Sequence, residues 1–398
     1  MTATRVADAF GGGPSAIRRA SMGAPSDAIN LALGEPGWPL PDAAREALTR
    51  VAEADGRLPY GPNTGLPDLV EAVAAFCSTT SSAHSWGSRT DRARLTSDQV
   101  MVTAGSQAAL FALFQAHVEP GSAVLVPDPG FVTYPQLARV CGADPITYPL
   151  APNGDLDAEA LVEVLGRTRH TGLVVLNHPA NPTGGVASPS ALAAVAEACA
   201  RVGAVLVSDE VYRELWVDAR PAGLHEVAGV EAGVVLGSTS KAFGAPGLRV
   251  GWAAGPAELL APARLVHNAM TTAPARPSQQ AALALLGAAD EVLTEAREHV
   301  RTRWHLATGD PICPDRGPGL SPPGTRSARA GIYLWLPLPE GAGDDEAFAL
   351  RLRDEGGVTT VPGSAFGARG RGHLRVSLGG PLDELEEGLR RLAPWWER

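Results

Sequence analysis

The chain has 398 residues, 45% of them apolar and 19% charged, and a formal net charge of −10. That is enough chain for two or three domains with real cores, which excludes a disordered segment, a coiled coil or a small scaffold stapled by disulfides or metals. The acidic balance argues against a nucleic-acid surface, and no apolar run is long enough to span a membrane.

Residues 1–30 read as an arm and a lead-in with no apolar segment of the secretory type, so a cytoplasmic protein is expected. Residues 31–40 (LALGEPGWPL) are extended, 41–54 helical with a start at Pro41–Asp42, 59–65 (PYGPNTG) a loop, and 66–77 helical again. The polar stretch 78–97 reads as a surface excursion. From residue 98 short β-rich runs alternate with Ala- and Leu-rich ones. Strands are predicted over 100–104, 123–129, 172–179, 204–210 and 233–239, and helices over 107–118 and 190–203. These strands are apolar throughout instead of alternating, as strands covered on both faces are, so the fold class is α/β with a mostly parallel central sheet flanked by helices. A helix over 257–270 and one long helix over 278–307, long enough to bridge two lobes, come next. Strands over 331–338 and 372–378, with a helix between them at 344–357, form a smaller α+β domain.

The four cysteines, Cys77, Cys141, Cys199 and Cys313, are far apart and form no CxxC pair, so reduced thiols are expected and no metal site. A single residue stands out among the cations. Of 33 basic residues, only Lys241 is a lysine. Arginine serves a surface as well as lysine does, but its guanidinium stays protonated. A lysine amine can lose its proton and form a Schiff base.

Ligands of open α/β sheets sit at the carboxyl ends of the strands. Those ends carry Gly105–Ser106, Asp128, Asn177–Asn181, Asp209 and Ser238–Lys241. In GSTSKAFGAPGLRVGW (237–252), Ser238, Thr239 and Ser240 offer hydroxyls and amides, and Arg249 follows in a Gly/Pro-rich turn. Such a set suits a phosphate dianion. A Schiff-base lysine beside a phosphate site is what pyridoxal 5′-phosphate requires. Asp209 closes an apolar strand, where a carboxylate needs a partner, and a protonated pyridine nitrogen is one. Tyr212, three residues on, and Asn181, in NHPANPTGGV, can reach the ring 3-oxygen. Gly105, Ser106 and Gln107 open a helix whose N-terminus suits phosphate. Phe131, in DPGFVTYP, can stack on a ring. Arg375, inside the apolar strand HLRVSL, needs an anion, either a substrate carboxylate or an internal ion-pair partner.

GEPGWP, YGPNTG, AGSQ, PGFVTYP, NHPANPTG, SDEVY, STSKAFGAPGLRVGW and LRVSL occur in this order over about residues 31–380. In this the chain resembles the fold-type I pyridoxal-phosphate enzymes, specifically the class I/II aminotransferases similar to aspartate aminotransferase. The resemblance implies that Lys241 carries the cofactor as a Schiff base and shuttles the substrate proton. It implies that Asp209 pairs with the pyridine nitrogen, Tyr212 and Asn181 contact the 3-oxygen, and Phe131 stacks on the ring. Gly105, Ser106, Gln107, Ser238, Ser240 and Arg249 would hold the phosphate. Arg375, with Gly34, Trp38 and Asn181, would bind the substrate. Tyr60 would reach the partner's phosphate across a homodimer with shared sites.

The implied division is an N-terminal arm and small-domain segment (1–45), a large cofactor-binding domain (46–282) and a small C-terminal domain (283–398). The implied reaction moves an amino group from an L-amino acid to a 2-oxo acid through pyridoxamine phosphate. A β-lyase, cyclase, γ-substituting or oxidase reaction would use the same lysine and aspartate. A transcription regulator would need a DNA-binding module in front of GEP, and a nicotinamide dehydrogenase a G-x-G-x-x-G at a strand–helix junction, which the sequence lacks.

Overall fold

Twelve strands are found in the computed structural model, which describes residues 16–79, 95–308 and 330–396. In chain order they are β1 (Ile29–Asn30), β2 (Val100–Thr103), β3 (Ala123–Asp128), β4 (Asp144–Pro149), β5 (Thr171–Asn177), β6 (Val205–Asp209), β7 (Val234–Ser238), β8 (Gly251–Ala254), β9 (Tyr333–Pro337), β10 (Val358–Thr359), β11 (Val361–Pro362) and β12 (His373–Ser377).

The main sheet has seven strands in the order β2-β8-β7-β6-β5-β3-β4. Only β8 runs against the rest, pairing antiparallel with both β2 and β7. The carboxyl ends of β2, β3, β5, β6 and β7 therefore lie along one edge. The apolar strands feed two cores at once. Val124, Val126, Leu173, Val175 and Val207 join the core under helices Ser106–His117, Thr133–Val140 and Ala257–Thr271. Their neighbours Leu125, Val174, Leu176 and Leu206 join the opposite core, under Ala158–Arg167 and Pro189–Val202. Alternate residues face opposite sides, so a strand with helices on both sides must be apolar at every position.

Local chemistry sets the helix ends. Ser188 accepts from the Ala191 amide, Pro189 occupies the first turn, and Gly203 ends the helix at φ 71°, the conformation that glycine adopts most easily. Two smaller sheets complete the fold: β1 pairs in parallel with β10, and β12 lies between β11 and β9. The N-terminal segment thus adds a strand to the C-terminal part. Among the described residues, no helix is long and apolar enough to cross a membrane.

Several expectations change. The continuous helix expected over 278–307 is two helices, Arg276–Gly287 and Ala289–Thr308, parted at Ala288. Gly287 weakens the run, and Asp290 and Glu291 supply the acidic first turn that favours a fresh start. The lead-in contains a helix, Ala16–Ser21, before β1. The polar stretch expected at the surface lies mostly outside the described residues, as does Cys313. Cys77, Cys141 and Cys199 form no disulfide.

Candidate active site

A cavity of about 270 Å³ opens at the carboxyl edge of the main sheet, between it and the β9–β12 sheet. Gly34, Ser106, Gln107, Phe131, Asn181, Asp209, Tyr212, Ser238, Ser240, Lys241, Arg249 and Arg375 all line it. These twelve predicted residues come from separate stretches of the chain.

Lys241 follows β7, and its Nζ donates to the Gly34 carbonyl at 2.5 Å while lying 5.9 Å from the centroid of the Tyr212 ring. Asp209 ends β6 and is 8% exposed. Its Oδ2 accepts from the Tyr134 hydroxyl at 2.7 Å, whereas Oδ1 is buried with no partner. Burial pushes its carboxyl up to about 6, against the pull of the Tyr134 hydrogen bond, the nearby Val211 amide and the Lys241 charge.

Arg375 stands in β12 and is 1% exposed. Its Nη1 donates to Asn181 Oδ1 at 3.0 Å and its Nη2 to the Ala32 carbonyl at 2.5 Å, but its Nε has no partner. The guanidinium lies between the rings of Tyr333 and Phe366, 4.3 and 4.9 Å from their centroids. No carboxylate faces it among the described residues, and burial lowers its pKa. The internal ion pair that would explain a buried arginine is thus not found, and the need for an anion stands.

The opposite end of the cavity is rich in donors. Gly105, at φ 85°, precedes the helix that begins at Ser106. A Cβ on it would lie 2.5 Å from Arg249 Nη2, so glycine lets the guanidinium close on the helix N-terminus. Ser238 Oγ donates to Ser240 Oγ at 2.9 Å and accepts from the Ser240 amide at 3.0 Å. Together with the first helical amides they form a pocket suited to a dianion.

Some predicted residues are placed elsewhere. Trp38 does not line the cavity: it stacks on His299 at 5.4 Å, beneath Arg303, and its indole lies against Gly244. It supports the Lys241 loop from behind. Tyr60 is 88% exposed and does not line the cavity either. Thr239 is fully buried and donates to the Val250 carbonyl. Asp128 turns away to accept from the Arg369 amide at 3.0 Å, joining the end of β3 to the loop before β12. Tyr134, Asn177 and Tyr333 were not singled out by sequence as binding residues. Asn177 Oδ1 accepts from the Asn181 amide at 2.7 Å and its Nδ2 donates to the Asp209 carbonyl at 3.1 Å, so it ties two strand ends together.

The sequence pattern that defines the aminotransferases of class I and II matches residues 26–392. The chain belongs to the class I and II aminotransferase family. Among the relatives of this aminotransferase, the LL-diaminopimelate aminotransferase of Desulforudis audaxviator is 32% identical over 92% of this chain and 90% of its own. The aspartate/prephenate aminotransferase of Thermus thermophilus is also 32% identical, over 92% of this chain and 90% of its own. Among solved structures, the aspartate aminotransferase from Thermus thermophilus with maleate superposes with a TM-score of 0.83 at 30% identity, covering 98% of both chains. The mostly parallel sheet flanked by helices is thus the fold of this aminotransferase and of its solved relatives.

Proposed function

We propose that the protein holds pyridoxal 5′-phosphate on Lys241 and moves an amino group from an L-amino acid to a 2-oxo acid. The observation that carries this reading is Asp209 Oδ1, a buried oxygen without a partner, in the same cavity as the only lysine of the chain. A protonated pyridine nitrogen is the donor such an oxygen lacks. The rest of the cavity fits the same group: Ser106, Gln107, Ser238, Ser240 and Arg249 for the phosphate, Phe131 for the ring face, and Tyr212 and Asn181 for the ring oxygen.

When bound, pyridoxal phosphate supplies an aldehyde for amines and a ring that accepts electrons. The protein's residues do the remainder. Arg375 grips the substrate carboxylate, and its free Nε is a donor in reserve. Lys241 Nζ takes the proton from the substrate Cα and delivers it again within the cavity. Asp209, as an anion, keeps the ring nitrogen protonated, which the Tyr134 hydrogen bond assists by favouring the carboxylate. The reading extends to a homodimer in which exposed Tyr60 reaches the phosphate site of the partner subunit.

The test is a panel of L-amino acids added singly without a 2-oxo acid. One of them yields a single equivalent of its 2-oxo acid per subunit and then stops, and a 2-oxo acid restarts turnover. Continuous release of ammonia, or oxygen uptake, without an acceptor would move the reaction to a lyase or an oxidase.

A further inference from the structure

We propose that Tyr333 is a positioning residue: its hydroxyl donates to the Tyr212 hydroxyl and so turns the Tyr212 proton toward the ring oxygen of the cofactor. The proposal rests on reading the cavity as a pyridoxal-phosphate site.

Tyr333 begins β9 and stands opposite Ser377, while Trp335 stands opposite Arg375. Tyr333 and Arg375 are therefore diagonal neighbours on one face of the sheet, within reach of long side chains. The Tyr333 ring lies beneath the Arg375 guanidinium at 4.3 Å and meets the Tyr212 ring nearly edge-on, with centroids 5.5 Å apart. The two hydroxyl oxygens are 2.9 Å apart, and both residues are buried. Glycine at position 34 makes room for this arrangement, since a Cβ there would clash with the Tyr333 hydroxyl.

A tyrosine hydroxyl has one proton to give. Two hydroxyls in contact share one proton between them and leave the other to point elsewhere. If Tyr212 donated to Tyr333, it would turn a lone pair toward the ring oxygen, and two acceptors would face each other. The order Tyr333 to Tyr212 to ring oxygen satisfies every group, and each bond in such a chain strengthens the next. Burial, and after it the neighbouring Tyr333, keeps the Tyr212 phenol protonated. The charged groups facing the pair are Arg375, Asp209 and Lys241.

The experiment is a pH titration of the visible absorbance of the protein loaded with pyridoxal phosphate, in four forms: parent, Y333F, Y212F and the double variant. Tyr333→Phe keeps the ring under Arg375 and removes only the hydroxyl. Weaker donation to the ring oxygen leaves its anionic form less stabilised, so the midpoint of the Tyr333→Phe protein rises by about half to one pH unit. In the Tyr212→Phe background the same change adds no further shift, because the path runs through Tyr212. An equal shift in both backgrounds, or a parent-like midpoint in Tyr333→Phe, overturns the proposal. A parent that forms no chromophore on Lys241 overturns the cofactor reading itself, and the proposal falls with it.

Discussion

Asp209 shows how a single residue can hold a functional requirement against stability. Burial raises its carboxyl from an ordinary value near 3.9 to about 6. The folded chain thus binds this proton more tightly than the unfolded chain does. As pH rises from about 4 to about 6 the unfolded state gives up the proton first, so this residue's contribution turns against the fold and stays against it above that range. The cost is on the order of 3 kcal/mol in the protein without cofactor. Asp209→Asn is expected to raise the melting temperature of that form by about 2–4 °C at pH 8 and to leave it nearly unchanged at pH 4. It also lowers turnover by about a hundredfold or more, because a neutral amide cannot hold a ring nitrogen protonated. Thermal melts at the two pH values check the first part, and an equal shift at both would contradict it. Lys241 stood out in the sequence as the only lysine, and Asp209 and Arg375 as charged residues at the end of, or inside, an apolar strand. Tyr134 and Tyr333 were not, since a tyrosine in an apolar run looks like core until its hydroxyl is placed.

At the scale of elements, the donor-rich end of the cavity depends on where the helix Ser106–His117 starts relative to β8. A Cβ on Gly251 would run into the Ser106 amide, and backbone cannot swing aside as a side chain does. Gly251→Ala is therefore expected to push the first helical turn out of place, costing about 1–3 kcal/mol of stability. It also weakens affinity for pyridoxal phosphate, measured by equilibrium titration. A variant with the parent's affinity and stability would show that the helix start is not held there. The sequence resolved this region incompletely: β8 is a four-residue strand inside a stretch that reads as a Gly/Pro-rich turn. β4 went unread because it begins Asp144–Pro145 and ends on Pro149, residues that read as turn and that an edge strand tolerates. The central strands were legible because two covering layers demand apolar residues at every position. Trp38 was placed at the substrate because its position is decided by the distant helix Ala289–Thr308, through His299 and Arg303.

At the scale of the whole molecule, the cavity gathers residues from Ile17 to Arg375, so neither the N-terminal segment nor the C-terminal sheet is dispensable. Tyr60 is 88% exposed and nearby Leu58 is 62% exposed, so both are open to a second chain. A second copy of the chain is the proposed cover. Sedimentation is expected to give the mass of two chains, and Tyr60→Phe to loosen pyridoxal phosphate about tenfold without dissociating the dimer. A fully active monomer would contradict this.

Every role assigned to the cavity depends on Lys241. Borohydride reduction of the protein loaded with pyridoxal phosphate, followed by mass mapping of its peptides, should find the adduct at residue 241 alone. Lys241→Ala should carry no adduct and have no measurable turnover. A parent without the adduct, or a Lys241→Ala protein that turns over like the parent, would contradict the assignment.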